Sequence, residues 1–153
     1  IRKGTKWTQI EKNREQMMEV CPDVDFYVSA TVSLYNADHI AKFHRKWVAN
    51  GYIKPQDWNI NILQFSERDR VDVLPKVYKE RISEKILEHI YWLGPKDNLK
   101  RATNGFKSVI NFMNADDKRD QLQETKRRIE LLDKVRDESV KEIIPQLYGV
   151  LNG

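Results

Sequence analysis

The sequence predicts an α/β chain with parallel strands, and three observations carry that prediction. Two short segments alternate apolar and polar residues with period two. Helical patterns precede, separate and follow them. After Gly94-Pro95 the chain reads as helix only. The order helix, strand, helix, strand, helix requires crossover connections, and crossovers make neighbouring strands parallel.

A first helix fits TKWTQIEKNREQMMEVCPD, with Thr5 as its cap and Trp7, Ile10, Met17 and Cys21 as an approximate stripe; Pro22 and Asp23 stop it. The first strand, Asp25–Tyr35, sends Phe26, Val28, Ala30, Val32 and Leu34 to one side. Tyr27, Ser29, Thr31, Ser33 and Tyr35 go to the other, so every residue of that row carries a hydroxyl. Asn36 or Asp38 caps the next helix, of three to four turns, whose apolar face is Ala37, Ile40, Ala41, His44, Trp47 and Val48. Asn50-Gly51 suits the left-handed turn at its end. The second strand, Trp58–Phe65, sets Trp58, Ile60 and Ile62 against Asn59, Asn61, Leu63 and Phe65.

After the loop SERDRVDVLP, Pro75 opens a helix running to Leu93, with Tyr78, Ile82, Ile86 and Ile90 spaced by four. Leu99, Ala102, Phe106, Val109, Ile110 and Met113 form a further stripe. A charged helix carries Leu122, Thr125, Ile129, Leu132 and Val135. Ser139 can cap a last helix, which Pro145 shortens or kinks.

The bulk numbers exclude several classes. A chain of 153 residues fits one domain and buries roughly 70% of its unfolded surface. It has no apolar run long enough to span a bilayer and no secretory signal. Its one cysteine, Cys21, cannot form an internal disulfide, so a cytoplasmic location is expected. Lys and Arg outnumber Asp and Glu 27 to 23, a mild excess with the signs interspersed. Such mixing marks solvated helix faces more than a nucleic-acid footprint. There is no nucleophile elbow, phosphate loop or zinc-binding H-E-x-x-H helix. The opening IRKGTK reads as the middle of a loop, so the chain is expected to be a piece of a longer protein, or to have a trimmed start.

The polar rows ask for an explanation. An open doubly wound sheet covered on both faces would have both rows apolar. A wall facing a partly wet lumen explains one apolar and one polar row, as in an α/β barrel completed by strands before Ile1. The edge of a small open sheet with one face in water explains them too, since Ser, Thr and Tyr suit solvated strands.

Several segments, in order, resemble a known family. IRKGTKWTQIEKN, SATVSLYNADHIAKFHRKWVANG, NINILQF followed by VDVLPKVYKE, GFKSVINFMNADD and LLDKVRDESVKEIIPQL are similar to the C-terminal half of twitch-domain radical SAM proteins, and the similarity runs nearly end to end. The resemblance implies a partial (β/α) barrel of two or three parallel strands with crossover helices over residues 1–95, and a helical tail packed on it over 96–153. In the full family, three cysteines of a C-x-x-x-C-x-x-C loop bind a 4Fe–4S cluster, on which S-adenosylmethionine is cleaved to a 5′-deoxyadenosyl radical. This chain lacks that loop. Alone it is expected to bind no cluster and to be inactive, its partner being the missing N-terminal half of the barrel. The substrate stays open.

The resemblance also implies site residues. Leu63 or Phe65 would touch the adenine; Ser33, Asn36 and Asn61 would bond the polar parts of the cofactor; Arg2 would meet its carboxylate. The alternatives are lumen packing for Leu63 and Phe65, helix capping for Asn36, and solvation for Arg2. His44 reads as a satisfied histidine at the core edge, and His39 and His89 as isolated, with no metal spacing among them. The SERDR residues Glu67, Arg68, Asp69 and Arg70 read as a solvated loop. Asp133 and Arg136 are expected to orient the tail through a local ion pair. Trp7, Trp47 and Trp58 read as packing between helices and sheet. A different class of function, a non-catalytic α/β module with weak nucleic-acid affinity, would use Lys100-Arg101 and Lys126-Arg127-Arg128. The acids Asp116, Asp117, Asp120, Glu124 and Glu130 interrupt any such basic stripe.

Overall fold

A computed structural model describes residues 5–152, so Arg2 lies outside the described residues. Strands β1 (Val28–Val32) and β2 (Trp58–Ile62) pair in parallel, with helix α2 (Ile40–Ala49) in the connection between them. The register sets Ser29 opposite Asn59, Ala30 opposite Ile60 and Thr31 opposite Asn61. The alternation read from the sequence holds. Val32 and Trp58 are fully buried, and Val28, Ala30, Ile60 and Ile62 pack on the core. Ser29, Thr31 and Asn61 are exposed and Asn59 is half-buried. Helices therefore cover one face of the sheet, and the polar face is open.

Both strands are shorter than predicted. β1 stops at Val32 rather than Tyr35 because Asn36 folds back on it: its Nδ2 donates to the Thr31 carbonyl and its Oδ1 accepts from the Ser33 amide, each at 2.9 Å. β2 stops at Ile62 rather than Phe65, although the Leu63 amide still donates to the Val32 carbonyl at 2.9 Å. Ser66, at φ 70°, then turns the chain. Two short 3-10 turns, Glu67–Asp69 and Val71–Val73, replace the simple loop expected here.

Helix α1 (Trp7–Val20) starts at a Lys6 cap position that makes no side-chain cap bond, so Thr5 is not its cap. None of its residues is buried, and Cys21 is exposed rather than part of a packed stripe. Docking depends on rings and polar bonds instead. The Trp7 ring lies 5.3 Å from Phe43 and 5.9 Å from Trp47. Arg14 donates twice to the Tyr52 carbonyl, at 2.9 and 2.7 Å, and Lys46 meets Glu11 at 2.6 Å.

Helix α2 has 10 residues, just under three turns, and buries Ile40, Ala41, His44 and Trp47. Its cap position is His39, so neither Asn36 nor Asp38 caps it. Gly51, at φ 73°, makes the left-handed turn that the Asn-Gly pair predicted. Helix α3 (Lys76–Leu93) follows Pro75 and buries Ile82, Ile86, His89 and Leu93. Helix α4 (Arg101–Ala115) buries Ala102, Phe106, Val109 and Met113, whereas Leu99 lies before it and is 65% exposed. The core centres on Trp58, whose ring stacks on Phe106 at 6.3 Å and lies 4.6 Å from the His44 ring. Trp7, Trp47 and Trp58 are packing residues, as read.

The tail is helix α5 (Leu122–Arg136), helix α6 (Val140–Ile143) and helix α7 (Pro145–Asn152). Pro145 brings no amide hydrogen and separates the last two, as expected. Ser139 makes no side-chain cap bond; Asp133 Oδ2 accepts the Val140 amide at 2.9 Å instead. Asp133 thus orients the tail through that main-chain bond. Among the described residues, no helix is long and apolar enough to cross a membrane.

Candidate functional site

Period-two geometry puts Ser29, Thr31, Asn59 and Asn61 on one uncovered surface. Asn61 Nδ2 donates to Ser29 Oγ at 2.8 Å and Asn59 Nδ2 donates to the same oxygen at 3.4 Å. The Ser29 hydroxyl proton and both asparagine carbonyl oxygens stay available, and Thr31 Oγ1 has no partner among the described residues. The face therefore offers hydroxyl donors and amide acceptors side by side. An aromatic stands at each end of it: Tyr27, 61% exposed, just before β1, and Phe65, 89% exposed, beyond β2.

Of the residues expected to meet a cofactor, Asn61 lies on this face of β2, and the half-buried Leu63 and exposed Phe65 follow beyond its end. Ser33 and Asn36 sit at the adjoining end of β1. Asn36 uses one N–H and one lone pair on the turn, and Ser33 Oγ accepts from the Tyr35 amide at 3.4 Å. Each keeps one donor for a ligand. These five residues share the open face and its C-terminal rim, but they do not close a pocket.

The rim is built more firmly than a solvated loop. Asp69 is 8% exposed and gathers three donors. Tyr35 Oη reaches its Oδ1 at 2.9 Å; Ser66 Oγ and Arg128 Nη1 reach its Oδ2 at 2.5 and 3.3 Å. The Asp69 carbonyl also accepts the Leu34 amide at 3.0 Å. Asp72 is fully buried and paired with Arg70, whose Nε lies 3.1 Å from it. Thr125 Oγ1 donates to the Arg68 carbonyl at 2.7 Å, which holds α5 against this loop. Of the SERDR residues, Ser66, Glu67 and Arg68 are exposed, Arg70 is half-buried and Asp69 is buried. Burial, and then the Asp69 carboxylate, raise the Tyr35 hydroxyl well above the ordinary tyrosine range, so it stays a neutral donor. Beside this hub, a cavity of about 200 Å³ lies between Tyr35, Arg128 and the apolar Ile129, Leu132 and Ile144. The Asp69 carboxylate in its lining is taken up by Tyr35, Ser66 and Arg128, and the described residues there form no nucleophile–base pair.

A second polar centre lies inside the helix layer. His44 Nδ1 and His89 Nε2 are 2.8 Å apart, with both rings buried, so His89 is not isolated. Phe106 and Trp92 flank them, at 4.7 and 5.2 Å from the His89 ring. Burial lowers His44 to about 4, against the Pro55 carbonyl and Asp97, which favour its charge. Burial, His44 and Arg45 lower His89 to about 3. At neutral pH the pair is uncharged and shares one proton across the contact. The spacing Ile82, Ile86, His89, Leu93 is a helical stripe that carries the signal for His89. Asp69 has no such signal, because its burial depends on α5.

Iron–sulphur ligation does not fit this chain. The one cysteine is exposed at the end of α1, and no group of three or more His, Cys, Asp or Glu among the described residues could hold a metal ion. No protein-family model, no curated protein and no solved structure matches the chain.

Proposed function

We propose that the chain is the C-terminal part of a radical SAM protein, with β1 and β2 as two adjacent wall strands of a partial (β/α) barrel. The observation that carries this reading is the bare polar face. Ser29, Thr31, Asn59 and Asn61 turn away from every helix that packs on the sheet, while the apolar row is buried. Each strand also keeps an outer edge unpaired among the described residues. Unpaired edges invite further strands, and added strands on either side would enclose the polar row. The ordered motifs from IRKGTKWTQIEKN to LLDKVRDESVKEIIPQL support the same family.

In this reading the chain supplies binding surface and not the cluster. Phe65 and Leu63 would offer the adenine an apolar contact, and Asn61, Ser33 and Asn36 would bond polar parts of the cofactor. Arg2 keeps its proposed place at the carboxylate. Chemistry in α/β barrels gathers at the C-terminal ends of strands, where Ser33, Asn36 and Phe65 stand.

The test begins with the reading frame that encodes the chain. Upstream sequence with a C-x-x-x-C-x-x-C loop is expected. The longer protein, reconstituted anaerobically with iron and sulphide, should form 5′-deoxyadenosine from S-adenosylmethionine. Asn61→Leu should slow that formation by roughly tenfold at unchanged cluster absorbance, the factor carried by one lost polar contact to the cofactor. An upstream sequence without the cysteine loop, or no 5′-deoxyadenosine, would remove the reading.

A further inference from the structure

A cleft of about 370 Å³ lies on the helix side of the sheet, between α2 and α3. Its lining carries four cations, Lys42 and Arg45 from α2 and Arg81 and Lys85 from α3, against two carboxylates, Asp38 and Glu88. Asp38 is spoken for: Lys85 and Arg81 reach its Oδ1 at 2.7 and 3.3 Å. Glu88 is a weak partner. It meets Arg45 at 3.8 Å with its side chain 74% exposed, where water screens the pair. Lys42 is exposed and has no partner among the described residues. The cleft therefore holds two positive charges in excess, on side chains from both walls.

Two buried nitrogens in this lining also lack partners. Arg45 Nε and His89 Nδ1 are shielded from solvent and make no hydrogen bond. His89 is only 1% exposed and its other nitrogen is committed to His44. A guanidinium Nε always carries hydrogen, so it needs an acceptor. Buried donors without acceptors are rare in folded proteins and ask for an explanation. An anion in the cleft supplies the acceptor once these side chains shift to open the two nitrogens, which expose almost no surface in this arrangement. It also selects the His89 tautomer with hydrogen on Nδ1, so that His44 Nδ1–H donates to His89 Nε2 and His44 Nε2 gives up the hydrogen it would turn to the Pro55 carbonyl.

We propose that the α2–α3 cleft binds a small phosphomonoester, held by Lys42 and Arg45 with His89 Nδ1–H as a donor at its base. A phosphomonoester is a dianion near neutral pH and matches the excess of two charges. Its oxygens accept the forked donors of a guanidinium. The cleft is within the size range of small-molecule sites, so an organic group fits beside the phosphoryl. Asp38 and Glu88 flank the cations and oppose a long polyanion, which disfavours a nucleic-acid backbone. The site lies across the helix layer from the polar sheet face, so the proposal does not rest on the barrel reading.

The test is a titration of the full chain, uniformly ¹⁵N-labelled, with inorganic phosphate at constant ionic strength set by chloride. Dimethyl phosphate, a phosphodiester monoanion, is the parallel probe. Saturable amide shifts are expected on α2 and α3, with the His89 ring nitrogens moving toward the Nδ1-protonated form. Lys42→Ala should weaken binding by roughly tenfold with an unchanged circular dichroism spectrum, since Lys42 is exposed and makes no hydrogen bond or ion pair among the described residues. Glu88→Gln releases Arg45 and should tighten binding, by roughly threefold. Absent saturation, an unaffected Lys42→Ala, or equal shifts at Lys126, Arg127 and Arg128 would each overturn the site. Dimethyl phosphate binding as tightly as phosphate would overturn the monoester assignment, and preference for an RNA oligonucleotide would reassign the cleft to a polyanion.

Discussion

His44 and His89 show what a buried polar pair costs and what it reports. Their rings sit among Trp58, Phe106 and Trp92, and one hydrogen bond between them takes the place of several to water. Burial lowers both from the ordinary 6.5, to about 4 and about 3. The unfolded chain therefore takes up protons first as pH falls. The stability due to the neutral pair is complete above pH 6.5 and is lost as pH falls below it, toward the folded values. Each ring costs about 1.4 kcal/mol per pH unit in that window. Urea unfolding at pH 7.5, 6.0 and 5.0 should show a falling midpoint, in a range where the carboxylates stay ionised. A midpoint that is flat between pH 7.5 and 5.0 would mean that the pair is solvated.

Among the elements, α4 packs directly on β2 at Gly105, against Ile60. A Cβ there would stand 3.1 Å from Ile60 Cβ and 3.3 Å from its Cγ1, closer than packed atoms normally sit. Gly105→Ala ordinarily gains helix propensity of about 1 kcal/mol. Here overpacking opposes it at about 1–3 kcal/mol, so the variant should be less stable by denaturant titration. Gly105→Ala with Ile60→Val should recover little of the loss, because Val keeps the Cβ and Cγ carbons at the two shortest contacts and removes only Cδ1, at 3.4 Å. A Gly105→Ala chain more stable than the parent would show that helix and strand can separate slightly at no cost. The tail element α5 is held differently, by the Thr125 hydroxyl on the Arg68 carbonyl and by Arg128 on Asp69. These contacts lock the rim loop, which is why Ser66 can sit at a positive φ that non-glycine residues seldom adopt.

For the molecule as a whole, the two faces of the sheet predict opposite tolerance. Thr31 is exposed on the bare face, and Thr31→Lys should leave thermal stability within about 0.5 kcal/mol of the parent. Val32, its neighbour, is fully buried, and Val32→Lys puts an unpaired charge into the core, so the chain should fail to fold. If the barrel reading holds, the same Thr31→Lys placed in the longer protein should lose 5′-deoxyadenosine formation, because the face then lines a lumen. Equal tolerance of both lysines in this chain would mean that the sheet is not packed on one side only.

The pattern of residues along the chain was enough to place both strands, their parallel pairing, the helical tail and the side of the sheet that helices cover. Alternation and helical spacing are local properties, and burial follows them wherever one row is wholly apolar, as in Val28, Ala30 and Val32. Strand ends were not legible, because the Asn36 brace and the Ser66 turn stop ladders that propensity alone would continue. Nor was the company that polar residues keep. Asp69 becomes a hub only when Tyr35, Ser66 and Arg128 converge from three places in the chain. His44 and His89 become a pair only when α2 and α3 cross. Hydrogen bonds between distant residues depend on the docking of whole elements, and that is decided by the packing of the complete core rather than by any one segment of sequence.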